Sequence, residues 1–179
     1  EEVTFVNNNA SSLYLSLRAM AKSYEFKNVI ISRGEIVEIG GSYRLPEIIQ
    51  ETGLQMIEVG TTNKTNLNDY TKALKDFPNS IILKVHRSNY SISGFTEEVS
   101  IKKLSEIKEN YETVLIHDLG SGLVVDRKFL EINHIDIFNN ETSVQNSLDD
   151  GSDLVMFSGD KLFGSVQSGI IAGKSKLIE

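Results

Sequence analysis

Short runs of apolar, mostly β-branched residues recur along this 179-residue chain, separated by polar or helix-patterned stretches. They are Val29-Ile30-Ile31, Met56-Ile57-Glu58-Val59, Ile81 to Val85, Val114-Leu115-Ile116, Leu154 to Phe157 and Gly169 to Ala172. Most are continuous rather than alternating, which suits strands buried on both faces of a parallel sheet. Between them, Leu13, Leu17, Met20 and Ala21 recur at helical spacing, as do Leu67, Tyr70, Leu74 and Phe77. Ile101, Leu104 and Ile107 repeat the pattern, with Thr96 and Glu97 expected at the helix start. Pro46 suits the beginning of a helix and Pro78 a position just past one. The alternation predicts an α/β fold: a three-layer α/β/α sandwich with a mostly parallel sheet, in one continuous domain.

In open α/β sheets, ligands bind beyond the carboxyl ends of the strands. The segments that follow the runs are therefore the informative ones: Ser32-Arg33-Gly34-Glu35, Gly60-Thr61-Thr62-Asn63, His86-Arg87-Ser88-Asn89, His117-Asp118-Leu119-Gly120-Ser121-Gly122 and Ser158-Gly159-Asp160-Lys161. All are expected on one rim. The chain has no cysteine, which excludes disulfides, thiolate metal sites and a cysteine nucleophile. Its 18 basic against 25 acidic residues give a net charge of −7, poorly suited to a broad phosphate-neutralising face. No run reaches the ~20 apolar residues that a membrane-spanning helix needs. Without a leader or an initiator methionine at Glu1, the chain is expected to be a processed protein or a fragment.

Several motifs mislead. Ala172-Gly173-Lys174-Ser175 imitates the end of a phosphate-binding loop, but the first glycine that loop requires is replaced by Ser168. No G-x-G-x-x-G and no G-x-S-x-G occurs, which disfavours a dinucleotide fold and a hydrolase nucleophile elbow. His86, His117 and His134 show no ligand spacing, so no metal site is expected. Lys102-Lys103 reads as a solvated helix face.

Lys161 follows an apolar strand within a small-residue turn and precedes Leu162, Phe163 and Gly164. Partly apolar surroundings favour the neutral amine, which can attack a carbonyl; the alternative is an exposed lysine paired with Asp160. Asp118 closes a strand and suits either the ring nitrogen of pyridoxal phosphate or the cap of a turn. Asn7-Asn8-Asn9-Ala10-Ser11-Ser12 precedes a helix whose amides suit a phosphate or an ordinary cap. Arg33, Arg44 and Arg87 are anion-binding or surface residues, and His86 suits a stacking role or a buried structural one.

Longer strings carry a resemblance. Asn7-Asn8-Asn9-Ala10, Ser32 to Ser42, Val59-Gly60-Thr61-Thr62-Asn63, Leu83-Lys84-Val85-His86, Ser88-Asn89-Tyr90, Gly94-Phe95-Thr96, Asp118 to Gly122 and Phe157 to Leu162 stand in one order along the chain. Together they resemble bacterial selenocysteine synthase, L-seryl-tRNA(Sec) selenium transferase. That resemblance implies a fold-type I pyridoxal phosphate enzyme, with residues 1–179 as its large catalytic domain. It places the family's N-terminal tRNA-binding domain before Glu1 and its C-terminal small domain after Glu179.

The resemblance further implies that Lys161 forms the Schiff base and that Arg33 lies in the active site as a holder of the selenium donor. Asp118 would pair with the pyridine nitrogen, and Asn8, Asn9, Ala10, His86 and Ser121 would complete the cofactor site. The implied reaction takes serine carried on tRNA(Sec), removes water, and adds selenium from selenophosphate. A cytoplasmic homo-oligomer, a ring of dimers, is the implied assembly. The chain departs from the family in Phe163-Gly164-Ser165-Val166-Gln167-Ser168-Gly169, where a Leu-Gly-Gly-Pro-Gln-Ala-Gly run is usual. Another fold-type I enzyme acting on a small amino acid, or a non-catalytic oligomerisation domain, are the alternatives.

Overall fold

The computed structural model describes residues 1–125, 127–134 and 141–179. In chain order, β1 (Glu2–Val6) leads through α1 (Asn9–Ser23) to β2 (Asn28–Ser32). A small hairpin of β3 (Glu38–Ile39) and β4 (Tyr43–Arg44) precedes α2 (Leu45–Glu51), β5 (Gln55–Val59), α3 (Leu67–Asp76) and β6 (Ser80–Val85). Then come α4 (Ile101–Lys108), β7 (Leu115–Gly120), α5 (Arg127–Ile132), α6 (Val144–Asp149), β8 (Leu154–Ser158), β9 (Gly169–Gly173) and α7 (Ser175–Ile178).

Among the described residues the main sheet has the order β1-β9-β8-β7-β6-β2-β5. From β5 to β8 all neighbours are parallel. The expected sandwich is therefore present, and the loops after β2, β5, β6, β7 and β8 do leave from one rim. The mostly parallel sheet changes direction at one edge. There β9 runs antiparallel to β8, and β1 antiparallel to β9. A buried strand such as Gly-Ile-Ile-Ala reads the same in either direction, so sequence pattern does not reveal the reversal. The strand β1 was not expected at all, because Val3 and Phe5 are 54% and 65% exposed on an edge strand and form no buried run.

Strand alternation sorts the core into two layers. Val29 and Ile31 of β2, Leu83 of β6 and Ile116 of β7 pack with Leu13, Leu17 and Met20 of α1 and with Leu45 and Ile49 of α2. Ile30, Ile82 and Leu115 point the other way, onto Tyr70 and Leu74 of α3 and Leu104 of α4. Burying a leucine such as Leu17 contributes about 1.5–3 kcal/mol.

The helices start where local chemistry permits. Asn8 caps α1 by accepting from the Ser11 N–H at 2.8 Å. Asn66 and Asp69 form a reciprocal capping box on α3. Pro46 sits in the first turn of α2, and Pro78 lies just beyond α3, as expected. For α4 the cap is Ser100, not the expected Thr96 and Glu97. Those two are held in extended chain, where Glu97 bridges to Lys64 of the β5–α3 loop.

Candidate functional site

Two adjacent residues of β7 divide the polar groups of the sheet between its faces. His117 shares a face with Leu115 and Leu119, and Asp118 shares the opposite face with Ile116, on the side of α1. His117 is buried, its Nδ1 2.7 Å from Ser147 Oγ, which in turn lies 2.9 Å from Ser152 Oγ. Burial, with the charges of Lys84 and His86 adding to it, pushes the imidazole well below its ordinary value, so it is a neutral structural histidine. Asp118 instead ends at a cleft of about 350 Å³ between the strand ends, the β3–β4 hairpin and the start of α1.

The Asp118 carboxylate is 8% exposed. Its Oδ1 accepts from Asn9 Nδ2 at 2.8 Å and from the Gly120 N–H at 3.0 Å. Burial pushes the carboxyl upward, while the Asn9 amide, the Gly120 N–H and the charge of Lys161 pull it back. The register of β7 against β8 shifts between Asp118 and Gly120, so the strand bulges as it reaches the cleft. Gly120 makes this corner with a φ of 66°, and a β-carbon there would meet Ser88 Oγ at 2.9 Å. Glycine is the residue that fits.

Asn8, Asn9 and Ala10 line the same cleft. The first N–H groups of a helix have no acceptor within it. Here that of Ser11 goes to the Asn8 side chain and that of Ser12 to the Asn8 carbonyl, leaving those of Asn9 and Ala10 at the cleft. The Asn8 side chain is thus used in capping, and its contribution to an anion is limited to its place in the wall. Gly169 of β9 lets this corner approach the sheet, since a β-carbon there would collide with the Asn8 carbonyl.

Lys161 lines the cleft from the turn after β8. That turn is braced by backbone bonds from Gly159 N to Ser168 O, from Ser165 N to Gly159 O and from Leu162 N to Ser121 O, each 2.7–3.0 Å. The expected apolar enclosure of the lysine is not formed within this chain: Lys161 is exposed, as are Leu162, Phe163 and Val166 at 40%, 45% and 78%. Phe163 turns its ring edge-on to Phe157, 6.0 Å between centroids, and not over the lysine. Asp160 bonds to Ser158 Oγ at 2.5 Å, and that bond holds its carboxyl below the usual range.

His86 also lines the cleft; its N–H donates to the Asp118 carbonyl, and its Nε2 lies 3.3 Å from Glu141 Oε2. Two expected site residues stand elsewhere. Ser121 is buried, does not line the cleft and donates its hydroxyl to Glu141 at 2.6 Å. Arg33 lies on the rim at the end of β2, 52% exposed and paired with Glu58 at 2.8 Å, and does not line the cleft. Sequence reasoning missed Glu141, which links His86 to Ser121, and Glu35, which is 1% exposed and bonded to Lys84 Nζ at 2.5 Å. The signal for the second was a lysine within the buried run Ile82-Leu83-Lys84-Val85.

Chemically, the cleft combines a primary amine, a buried carboxylate opposite it and helix-start amides. That set fits a flat carbonyl compound carrying an anionic group and a basic ring nitrogen, as pyridoxal phosphate does. Comparison with known proteins agrees. The family described as SelA, L-seryl-tRNA selenium transferase, matches residues 1–179. This chain belongs to that family. The L-seryl-tRNA(Sec) selenium transferase of Alkaliphilus metalliredigens is 47% identical over 179 residues, 100% of this chain and 36% of the relative. That of Haemophilus influenzae is 45% identical over the same 179 residues, 37% of its length. The chain thus spans just over a third of these family members.

Solved structures show the same fold at low identity. A D-glucosaminate-6-phosphate ammonia-lyase superposes with a TM-score of 0.73 at 18% identity, over 99% of this chain and 45% of its own. An archaeal O-phosphoseryl-tRNA(Sec) selenium transferase superposes at 0.68 and 18%, over 98% of this chain and 38% of its own. The architecture is the fold of fold-type I enzymes.

Proposed function

We propose that the protein containing these residues is a pyridoxal phosphate-dependent transferase. It converts L-seryl-tRNA(Sec) to L-selenocysteinyl-tRNA(Sec) with selenophosphate as selenium donor, and residues 1–179 are its cofactor-binding domain. The observation that carries this reading is the meeting of Lys161, Asp118 and the start of α1 in one cleft, in a chain matched by the family from end to end. Bound there, the cofactor supplies an electron sink for negative charge developing on the seryl group.

The chain's own residues supply the rest. Lys161 offers the amine that holds the cofactor and afterwards carries a proton at the substrate α-carbon. Asp118 keeps a proton on the ring nitrogen by accepting from it where water is scarce. The Asn9 and Ala10 amides, at the positive end of the α1 dipole, receive the phosphate. His86 flanks the ring. Arg33, exposed on the neighbouring rim, is within the chain's means of holding an anionic selenium donor. The apolar Leu162, Phe163 and Val166 left exposed beside Lys161 support a homo-oligomer in which a second copy covers the turn. With a net charge of −7 here, most of the tRNA-binding surface lies on other parts of the protein. A tRNA substrate places the reaction in the cytoplasm; among the described residues no helix is long and apolar enough to cross a membrane.

The test is borohydride reduction of the complete protein after incubation with pyridoxal phosphate, followed by peptide mapping. A pyridoxyl group on Lys161, lost in Lys161→Ala, is the expected result, together with selenium transfer that requires seryl-tRNA. Turnover of free serine without tRNA would replace this substrate assignment, and absence of any specific label would overturn the cofactor assignment.

A further inference from the structure

Among the described residues, one buried side-chain polar atom has no partner: Asn9 Oδ1. Such atoms are uncommon in folded proteins and call for an explanation. The amide cannot relieve this by turning over. Its Nδ2 donates to Asp118 Oδ1 at 2.8 Å, and a half-turn would set oxygen against carboxylate oxygen. The Gly120 N–H reaches the same Oδ1, so both bonds to this carboxylate among the described residues end on one oxygen. Asp118 Oδ2 is left for a ligand. At this point the cleft therefore presents Asp118 Oδ2 as its acceptor, while Asn9 Oδ1 is closed off beneath it and the Asn9 and Gly120 donors are engaged on Asp118 Oδ1.

We infer that Asn9 is a positioning residue for Asp118: its Nδ2 holds Asp118 Oδ1 even though this leaves its own buried Oδ1 unpaired, and it thereby presents Asp118 Oδ2 to the N–H of a protonated ring nitrogen. This rests on the cofactor assignment above and adds a residue to it. The sequence suggested Asn9 only as part of a phosphate-receiving helix start; the side chain instead serves the opposite end of the ring. It reaches across 109 positions of sequence to do so.

A pair of probes separates this role from a merely structural one. Pyridoxal phosphate and its 1-deaza analogue, in which a C–H replaces the ring nitrogen, differ at the atom that Asp118, held by Asn9, would receive. Their dissociation constants are measured by absorbance titration on the complete apoprotein, as wild type and as Asn9→Ala. Wild type is expected to prefer the nitrogen-bearing ring. Asn9→Ala should shrink that preference by about tenfold, the loss expected for a hydrogen bond involving a charged group, and leave the deaza affinity within about threefold.

Equal weakening of both probes would overturn the inference and leave the cofactor assignment intact. Failure of wild type to bind either probe, or to take a pyridoxyl label on Lys161, would overturn both. Should Asn9→Ala not fold, Asn9→Ser, which keeps a small polar side chain at the first helical position, is read by the same ratio.

Discussion

Two carboxylates lie buried behind the carboxyl rim of the sheet, and their partners differ in kind. Glu35, in the turn after β2, is held by Lys84 Nζ and by the Val85 N–H at 3.1 Å. Asp118, at the end of β7, is held by an amide and a backbone N–H, and among the described residues no cation stands within ion-pair distance of it. Burial raises the carboxyl in both cases. Glu35 is complete as it stands, its charge matched from within the fold. Asp118 is oriented but not neutralised, which is the condition of a group that waits for a cationic ligand. Burial and an upward shift alone would not tell these residues apart; the identity of the partners does.

The contrast can be broken most strongly at Glu35. Lys84→Met leaves a buried carboxylate without its cation and should cost about 3–5 kcal/mol in denaturant unfolding. Adding Glu35→Gln in the same chain should return most of that loss, because the uncompensated charge is then gone. A double variant as unstable as the single one would mean that Lys84 acts through packing.

At Asp118 the effect should be smaller and opposite in sign. Its folded-state value lies above the ordinary 3.8, so its contribution to stability is intact below that pH and is lost as pH rises through the folded value. At neutral pH the apoprotein thus carries the cost of an ionised buried carboxylate. Asp118→Asn should stabilise the apoprotein by about 1 kcal/mol in thermal unfolding at pH 7 and weaken cofactor binding, a trade of stability against function. Destabilisation by the same change would show that the carboxylate is already fully matched.

His117, one residue earlier, sharpens the comparison least. Its value is depressed below 6.5, so stability present at neutral pH should fall as pH drops below that figure. Between pH 7 and pH 5 the loss should be on the order of 1 kcal/mol, and His117→Gln should flatten the profile. An unchanged profile would assign the acid sensitivity to another group.

Much of the frame was legible because β2, β6, β7 and β8 are buried on both faces and have to be written in continuous apolar residues. Adjacent Asp118 and His117 were both flagged, and strand alternation suffices to send them to opposite faces once a strand is granted. The edge strand β1 escapes such reading, because it buries too little for its pattern to register, whereas β5 at the other edge keeps an apolar run. Lys84, only 8% exposed, stood inside an apolar run without a role read for it, because its buried partner Glu35 lies 49 positions away. The Asn9–Asp118 bond is equally invisible to spacing. Arg33 and Ser121 were assigned by motif, and motifs do not report where a side chain turns: one pairs with Glu58, the other with Glu141.

The pairing of β1 with β9, Glu2 opposite Gly173 and Val6 opposite Gly169, also sets an order of events. Among the described residues, the strand that leads into the Asn8–Ala10 corner has its sheet partner, β9, near the far end of the chain. The corner precedes β9 in the chain and docks against it only after a long loop is closed, whose entropy must be met before the contact returns anything. Within these residues, one half of the cleft is thus fixed to the sheet only when β9 pairs with β1, and a chain that ends before Gly169 holds Lys161 beside a corner not yet docked there.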